Sequence, residues 1–350
     1  MEQKRNYGID LLRIVLMFMV CTLHVLAQGG ILNACAKGSL KASVFWFLEI
    51  FSYCAVDAFA IISGYVASNR EQKYDKIVNM WFQIFFYSFV ITILFVVFGF
   101  ANDLSMVEII KNALPITFNK FWYITAYFGL FFTIPILNKF ISVIDKKTAQ
   151  KAIIIIFVLF SIIGFIVDAF RTSNGYSAFW LIILYCLGAL ANKSNLFENK
   201  KSIILIIIWF LCIIVTWVTY IYFGTQKLIS YISPTILMSG IIMVILFSRI
   251  KLKGNIISKL SPLALGIYLL QLNQVIWSKI IKDAFVFVVD KKTIIGILWI
   301  LILSSIISIS GMLVESVRRW LFKLIKIPLL SQKIVEKVKK ILDKAVKILN

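Results

Sequence analysis

Apolar residues in this chain come in long runs separated by short polar gaps, and the runs share one physical length. A helix rises 1.5 Å per residue, so about 20 apolar residues cross a hydrocarbon layer about 30 Å thick. On that ruler the pattern predicts spans near residues 10–28, 42–67, 80–100, 121–141, 152–168, 178–191, 202–223, 232–248, 262–281 and 293–315. The sixth run is short for a single crossing and the second is long. The fold class that follows is all-α: a polytopic membrane helix bundle of about ten transmembrane helices.

After Arg318 the pattern changes. Ile334, Val335, Val338, Ile341, Leu342, Ala345 and Leu349 form one helical stripe, and six lysines between Lys333 and Lys347 occupy much of the rest. This predicts a C-terminal basic amphipathic helix lying on the inner leaflet, with a partner-binding helix as the alternative. The chain therefore divides into a membrane domain over 5–315 and a cytoplasmic amphipathic tail over 318–350. No repeat, linker or soluble module is visible, so any chemistry belongs inside the bundle.

Composition agrees with the pattern. The chain has 350 residues, 61% hydrophobic and 15% charged, with a mean hydropathy of +0.93. A soluble globular chain is nearer 45–50% apolar and about 25% charged. Disorder is excluded by the apolar content, and a disulfide scaffold by having only five cysteines. No CxxC occurs, which leaves no redox or metal motif; the cysteines read as small buried hydrophobes. The first apolar run lacks a small-residue cleavage site and carries Arg13 and His24, so it reads as a retained span and not a signal peptide.

Charge sets the topology. Lys and Arg number 37 against 16 acidic residues, a net +21. No basic patch sits on a soluble module, so nucleic acid is not the expected partner. With the N-terminus in the cytoplasm, the inner segments hold 26 of the basic residues and the outer loops 10. That bias predicts an N-in/C-in arrangement facing anionic lipid.

Ionisable residues inside spans are costly and mark function by default. The first span carries Asp10, Arg13 and His24. Arg13 and His24 are eleven positions apart, about 20° off one helical face. They lie about 16 Å apart along the axis, with Asp10, Met17, Cys21 and Gln28 on the same face. His24 is the only histidine. It suits a proton acceptor near neutral pH, or a structural hydrogen bond between helices. Arg13 suits a polar path from the cytoplasm, or a snorkelling residue at the interface. The second span carries Glu49 and Asp57, then Ser63-Gly64-Tyr65. Asp57 can orient or charge-stabilise His24, or pair with Arg13; Asp10 can pair with Arg13 instead, at i, i+3. Gly64 has the plainer reading of a close helix crossing. There is no P-loop, GxGxxG, GxSxG or HExxH, and no metal cluster is expected.

Four segments in order carry a resemblance. They are Gly8-Ile9-Asp10-Leu11-Leu12-Arg13 followed by His24; Ala55 to Tyr65; Phe121-Trp122-Tyr123-Ile124 with Pro135 beyond; and Leu265-Gly266-Ile267-Tyr268-Leu269-Leu270-Gln271. In this order and spacing, from about residue 5 to 315, the chain resembles the acyltransferase-3 family of membrane acyltransferases. The resemblance implies transfer of an acyl group, often acetyl from acetyl-CoA, to a sugar hydroxyl of a cell-envelope glycan. It implies a multi-pass protein of a bacterial plasma membrane. Acyl-CoA is then the donor substrate, with no permanently bound cofactor. The other partners are a glycan or lipid-linked sugar acceptor and the membrane lipids.

The resemblance also implies site residues. His24, Arg13 and Asp57 are the catalytic candidates, with His24 as general base or acyl carrier. Ser63, Gly64, Tyr65, Arg70, Lys73, Trp122, Tyr123, Tyr268 and Gln271 are the binding candidates. Trp122, Tyr123 and Tyr268 suit stacking on sugar or CoA, and equally an aromatic girdle or core packing. Many relatives carry histidine where this chain has Gln271, which can hydrogen-bond but cannot act as a base. The implied route brings the thioester in between spans one, two and nine, past Arg13 and Arg70. The competing classes are a transporter or flippase of glycan precursors, which intramembrane charges also suit, and a catalytically silent relative, which Gln271 would explain.

Overall fold

The computed structural model describes residues 5–67, 72–252 and 254–349. These are helices joined by short turns, with no strand among the described residues. The chain opens with α1 (Tyr7–Leu26), α2 (Leu40–Tyr53) and α3 (Ala55–Ala67). Next come α4 (Tyr74–Phe85), prolonged through a π-helical turn at Phe86–Val90 to Val97, and the short α5 (Met106–Ala113). Then follow α6 (Trp122–Val143), α7 (Lys146–Ile156), α8 (Ala178–Ser194), α9 (Ser202–Phe223) and α10 (Pro234–Ser248). The last are α11 (Ala264–Gln271), α12 (Thr293–Leu324) and α13 (Ile327–Leu349).

Six stretches are long and apolar enough to cross a membrane: Tyr7–Ala34, Leu40–Ala67, Tyr74–Val97, Trp122–Val143, Ser202–Phe223 and Thr293–Leu324. A seventh is the pair Asn255–Gln271 and Ile276–Asp290, bent by 75° at its break. Fewer helices reach spanning length than the ten expected. The reason is physical: α8 and α10 have 17 and 15 residues, about 26 and 23 Å of helix, short of a 30 Å core. The α7 segment changes to a π-helix at Phe157.

Burial is inverted relative to a soluble protein. Isoleucine, leucine and phenylalanine crowd the outside of α9 and α12, while Asp57, Gln271, Asn273, Glu315 and Arg318 are buried. Apolar side chains outside and polar groups inside is what a bilayer solvent selects.

The centre of the bundle is α3 packed on α8, with α1 and α10 against α3. Two glycines set the closest crossing. A Cβ on Gly64 would lie 1.9 Å from the Tyr185 carbonyl oxygen, and one on Gly188 would lie 2.0 Å from that of Ile61. Only glycine fits at either point, so the two backbones touch there.

A second lock sits where α4, α11 and α12 meet. Arg318 donates from Nε to Oε2 of Glu315 at 2.9 Å and from Nη2 to Oε1 at 2.6 Å. Gln83 (3.1 Å) and the Tyr87 hydroxyl (2.9 Å) also donate to Oε2. Arg318, expected to open the tail, is therefore buried inside α12. The amphipathic helix starts later, at Ile327, with Pro328 in its first turn. Its beginning packs on α4, with Ile327 and Ser331 buried, and residues 336–348 are exposed on all sides.

Candidate active site

The site begins with the first turn of α1. The Asn6 side chain caps the helix by accepting from the Gly8 and Ile9 amides, and its amide group donates to the Ser248 carbonyl at the end of α10. This fixes the start of α1 against α10. Asp10 is buried and accepts from Arg5 Nε at 2.5 Å, Arg13 Nη1 at 2.8 Å and the Ser261 hydroxyl at 3.2 Å. Of the pairings the sequence left open, Arg13 takes Asp10, its i, i+3 neighbour. Both carboxylate oxygens of Asp10 are used, so a charge inside the bundle is compensated.

Beyond Arg13 a cavity of about 270 Å³ opens among four elements. Arg13, Met17 and Val20 of α1 form one wall, Val56 and Phe59 of α3 another, and Tyr123 of α6 a third. The fourth is the Ser261–Tyr268 segment leading into α11. These are the first, second, fourth and ninth apolar runs. The positions 13, 17 and 20 continue at helical spacing to His24, one turn past Val20. Cys21 turns away, toward the Ser308 hydroxyl of α12 at 3.3 Å.

His24 has the Trp277 ring edge-on, with centroids 4.9 Å apart. Gln271 lies beside both His24 and Cys21. Four buried polar atoms here have no protein hydrogen-bond partner: His24 Nδ1, both amide atoms of Gln271 and the Tyr268 hydroxyl. Buried polar groups are nearly always paired; of these exceptions Tyr268 lines the first cavity, while His24 and Gln271 lie behind its wall.

Trp277 also lines a second cavity, of about 330 Å³. Asn112, Lys120, Gln274 and Ser278 give it polar walls. Lys120 Nζ donates to Glu108 at 2.7 Å and to Gln274 at 2.8 Å. Hydrogen bonds from Lys111 and Lys120 hold the Glu108 carboxyl down at about 2, well below the usual range. His24 lines neither cavity itself: it lies one helical turn past Val20 of the apolar cavity and against Trp277 of the polar one.

Asp57 has a different neighbourhood. It is fully buried in the first turn of α3 and accepts from Trp180 Nε1 of α8 at 3.1 Å, while its Oδ2 has no partner. Tyr53, Tyr123 and Tyr231 surround it. No hydrogen bond or ion pair joins it to His24 or Arg13 among the described residues.

The remaining expected residues divide. Tyr123 and Tyr268 line the first cavity, with ring centroids 6.2 Å apart. Trp122 faces the other way, 4.6 Å from Tyr176 and 6.0 Å from Tyr231 by centroid. Ser63 bonds its own helix at the Phe59 carbonyl, Gly64 makes the α3–α8 crossing, and the Tyr65 hydroxyl donates to Ser248. None of these three lines the cavity. Lys73 is exposed at the start of α4, and Arg70 lies outside the described residues. Trp277 is the neighbour that sequence reasoning missed. A lone tryptophan in an apolar run looks like a girdle residue, and only the bend after Gln271 brings it against His24.

The family comparison fits this geometry. The model of the acyltransferase family 3, described as an acyltransferase domain, matches residues 6–314. No curated protein and no solved structure matches significantly. The match takes in every element around both cavities and nearly the whole helical bundle, so the chain belongs to the acyltransferase-3 family.

Proposed function

We propose that the protein transfers an acyl group, acetyl from acetyl-CoA in the simplest case, to a sugar hydroxyl of a cell-envelope glycan, with His24 at the point of transfer. The observation that carries this reading is the buried, unpartnered Nδ1 of His24, one turn past Val20 of the apolar cavity and against Trp277 of the polar one.

The apolar cavity with Arg13 at one end suits the thioester arm of an anionic donor. Arg13 and His24 are about 16 Å apart along the helix. That is too far for both to reach one carbonyl group, so Arg13 binds the phosphate end of the donor and His24 serves the thioester. The polar cavity beyond Trp277 suits the acceptor. His24 takes the proton from the acceptor hydroxyl, and the oxygen attacks the thioester carbonyl carbon. The C–O bond forms, the C–S bond breaks, and the CoA thiolate leaves with the proton held by the imidazolium. An acyl-histidine that relays the group across Trp277 is the covalent variant. The unpaired amide of Gln271 is placed to hold the imidazole or the developing oxyanion. Asp57 supports the walls of the cavity through Trp180 and is not part of the proton path.

The test is CoA release by membranes supplied with acetyl-CoA and envelope glycan. His24→Ala, at matched protein level, is expected to lower release to background. Arg13→Ala is expected to raise KM for acetyl-CoA at least tenfold with a smaller effect on kcat. Full release by His24→Ala would remove His24 from the chemistry.

A further inference from the structure

A third cavity, remote from Arg13 and His24, has the form of a site for one lipid molecule. It measures about 500 Å³ and lies between α7 with its π-helical extension, the α8–α9 turn and α10. Its mouth is on the same end of the bundle as Asn6: Asn6 bonds Ser248 at the end of α10, and the next residue, Arg249, bonds the Phe197 and Lys200 carbonyls of the mouth. Its mouth is polar and basic, with Lys146, Gln150, Asn195 and Lys200. Its walls below the mouth are apolar, with Ile153, Ile154 and Phe157 on one side and Met238 and Ile241 on the other. Phe157 is eleven residues below Lys146, and Met238 eleven below Arg249. Each wall therefore runs about 16 Å down from the mouth, roughly half the hydrocarbon thickness.

The mouth is built in advance. Arg249 Nη2 donates to the Phe197 carbonyl at 2.6 Å, and Nη1 donates to the Lys200 carbonyl at 2.9 Å and the Ser202 hydroxyl at 3.2 Å. Arg249 is thus used in holding the turn. Lys193 is used likewise, donating to the Ile141 and Ser142 carbonyls at 2.6 Å each. Lys146 makes one ion pair, with Glu198 at 3.2 Å, and Lys200 makes none among the described residues. Two lysines against one glutamate leave the mouth with net positive charge. Ile154 stands exposed on the rim, so the cavity opens sideways to the surroundings of the bundle.

We infer that this cavity binds one anionic phospholipid, its phosphate between Lys146 and Lys200 and an acyl chain along the Phe157–Met238 channel. A cationic mouth at the interface over an apolar channel open to the bilayer matches the two ends of that molecule and of no soluble anion. The inference is independent of the acyl-transfer reading.

The experiment is native mass spectrometry of the full chain in detergent, titrated with phosphatidylglycerol or phosphatidylcholine of the same chain length. The expected result is one retained phosphatidylglycerol, at least fivefold over phosphatidylcholine. In the Lys146→Gln/Lys200→Gln variant this preference falls to near unity. Ile154→Trp, which narrows the channel at an exposed position and leaves the charges, lowers retention of phosphatidylglycerol at least threefold. Lys151→Gln, on the same helix but outside the cavity, changes nothing. Equal retention of the two lipids by the unaltered chain would overturn the inference. So would an equal loss in Lys151→Gln, which would mean diffuse attraction. Displacement of the lipid by inorganic phosphate, with Ile154→Trp without effect, would mean a simple anion site and also overturn it. A melting temperature in detergent unchanged from that of the unaltered chain serves as the check that the variants are folded.

Discussion

Gln271 is the residue whose chemistry most separates this chain from the pattern it resembles. It is buried beside His24 with both amide atoms unpartnered. An amide can orient an imidazole or donate to an oxyanion, but it cannot exchange a proton. Gln271→Leu is therefore expected to lower kcat at least tenfold, and Gln271→His to keep activity, both read as CoA release from membranes. Equal activity of all three forms would make Gln271 a packing residue. At Glu108 the prediction concerns pH. Its folded-state pKa is depressed by Lys111 and Lys120 to about 2. Its contribution is thus fully present above its unfolded value, about 4.3, and is lost as pH falls from there toward about 2. Melting of the detergent-solubilised protein should show a drop in that window, which Glu108→Gln reduces. The Arg13–His24 stripe was legible in the sequence because one helix fixes both angles. The partner of Asp57 was not, because Trp180 is 123 positions away and no local pattern encodes it.

Among the elements, the α3–α8 pair depends most on a single atom. At Gly64 and Gly188 an added Cβ meets a backbone carbonyl that belongs to the opposite helix and cannot swing aside. Gly64→Ala is expected to destabilise the protein by about 2 kcal/mol or more, seen as a lower melting temperature in detergent. It also shifts the walls formed by Val56 and Phe59. A melting temperature within a degree of the unaltered protein would show that the helices can part freely. The buried Glu315–Arg318 pair gives a second case. Arg318→Ala leaves a buried carboxylate uncompensated and is expected to cost about 3–5 kcal/mol. Replacing both, Glu315→Leu with Arg318→Met, should recover most of the loss. Helix positions follow from apolar periodicity, and the long helices fall on the expected runs, while the short α5 lies between two of them. Glu315 was hidden because it sits at the end of a long apolar run, where a charge looks interfacial. The bend after Gln271 was hidden because Asn273 receives its partners, Tyr87 and Thr92, from another helix.

For the whole molecule, the arrangement of charge is the property that organises function. Arg13 and the lysine-rich mouth at Lys146 and Lys200 share the end of the bundle marked by Asn6 and the end of α10. Lys120 and its cavity lie past His24 from Arg13. With the former end cytoplasmic, the arrangement the basic-residue bias favours, the proposed donor would approach from inside and the proposed acceptor from beyond Trp277. A membrane-impermeant thiol reagent should then label a cysteine placed at Lys227 in intact cells, and label one placed at Lys251 only after permeabilisation. The reverse pattern would invert the topology. Composition made the membrane class plain. The apolar pattern already showed the run of α8 to be short for a crossing, but not that of α10, since short buried helices and short spans read alike.

Acyl transfer through His24 is the function proposed for the bundle. It is tested most directly by the O-acetyl content of the envelope polysaccharide, measured by NMR in cells carrying the gene, lacking it, or complemented with His24→Ala. Acetyl is expected to disappear in the deletion, return with the unaltered chain and stay absent with His24→Ala. Full acetylation with His24→Ala at matched protein level would contradict it.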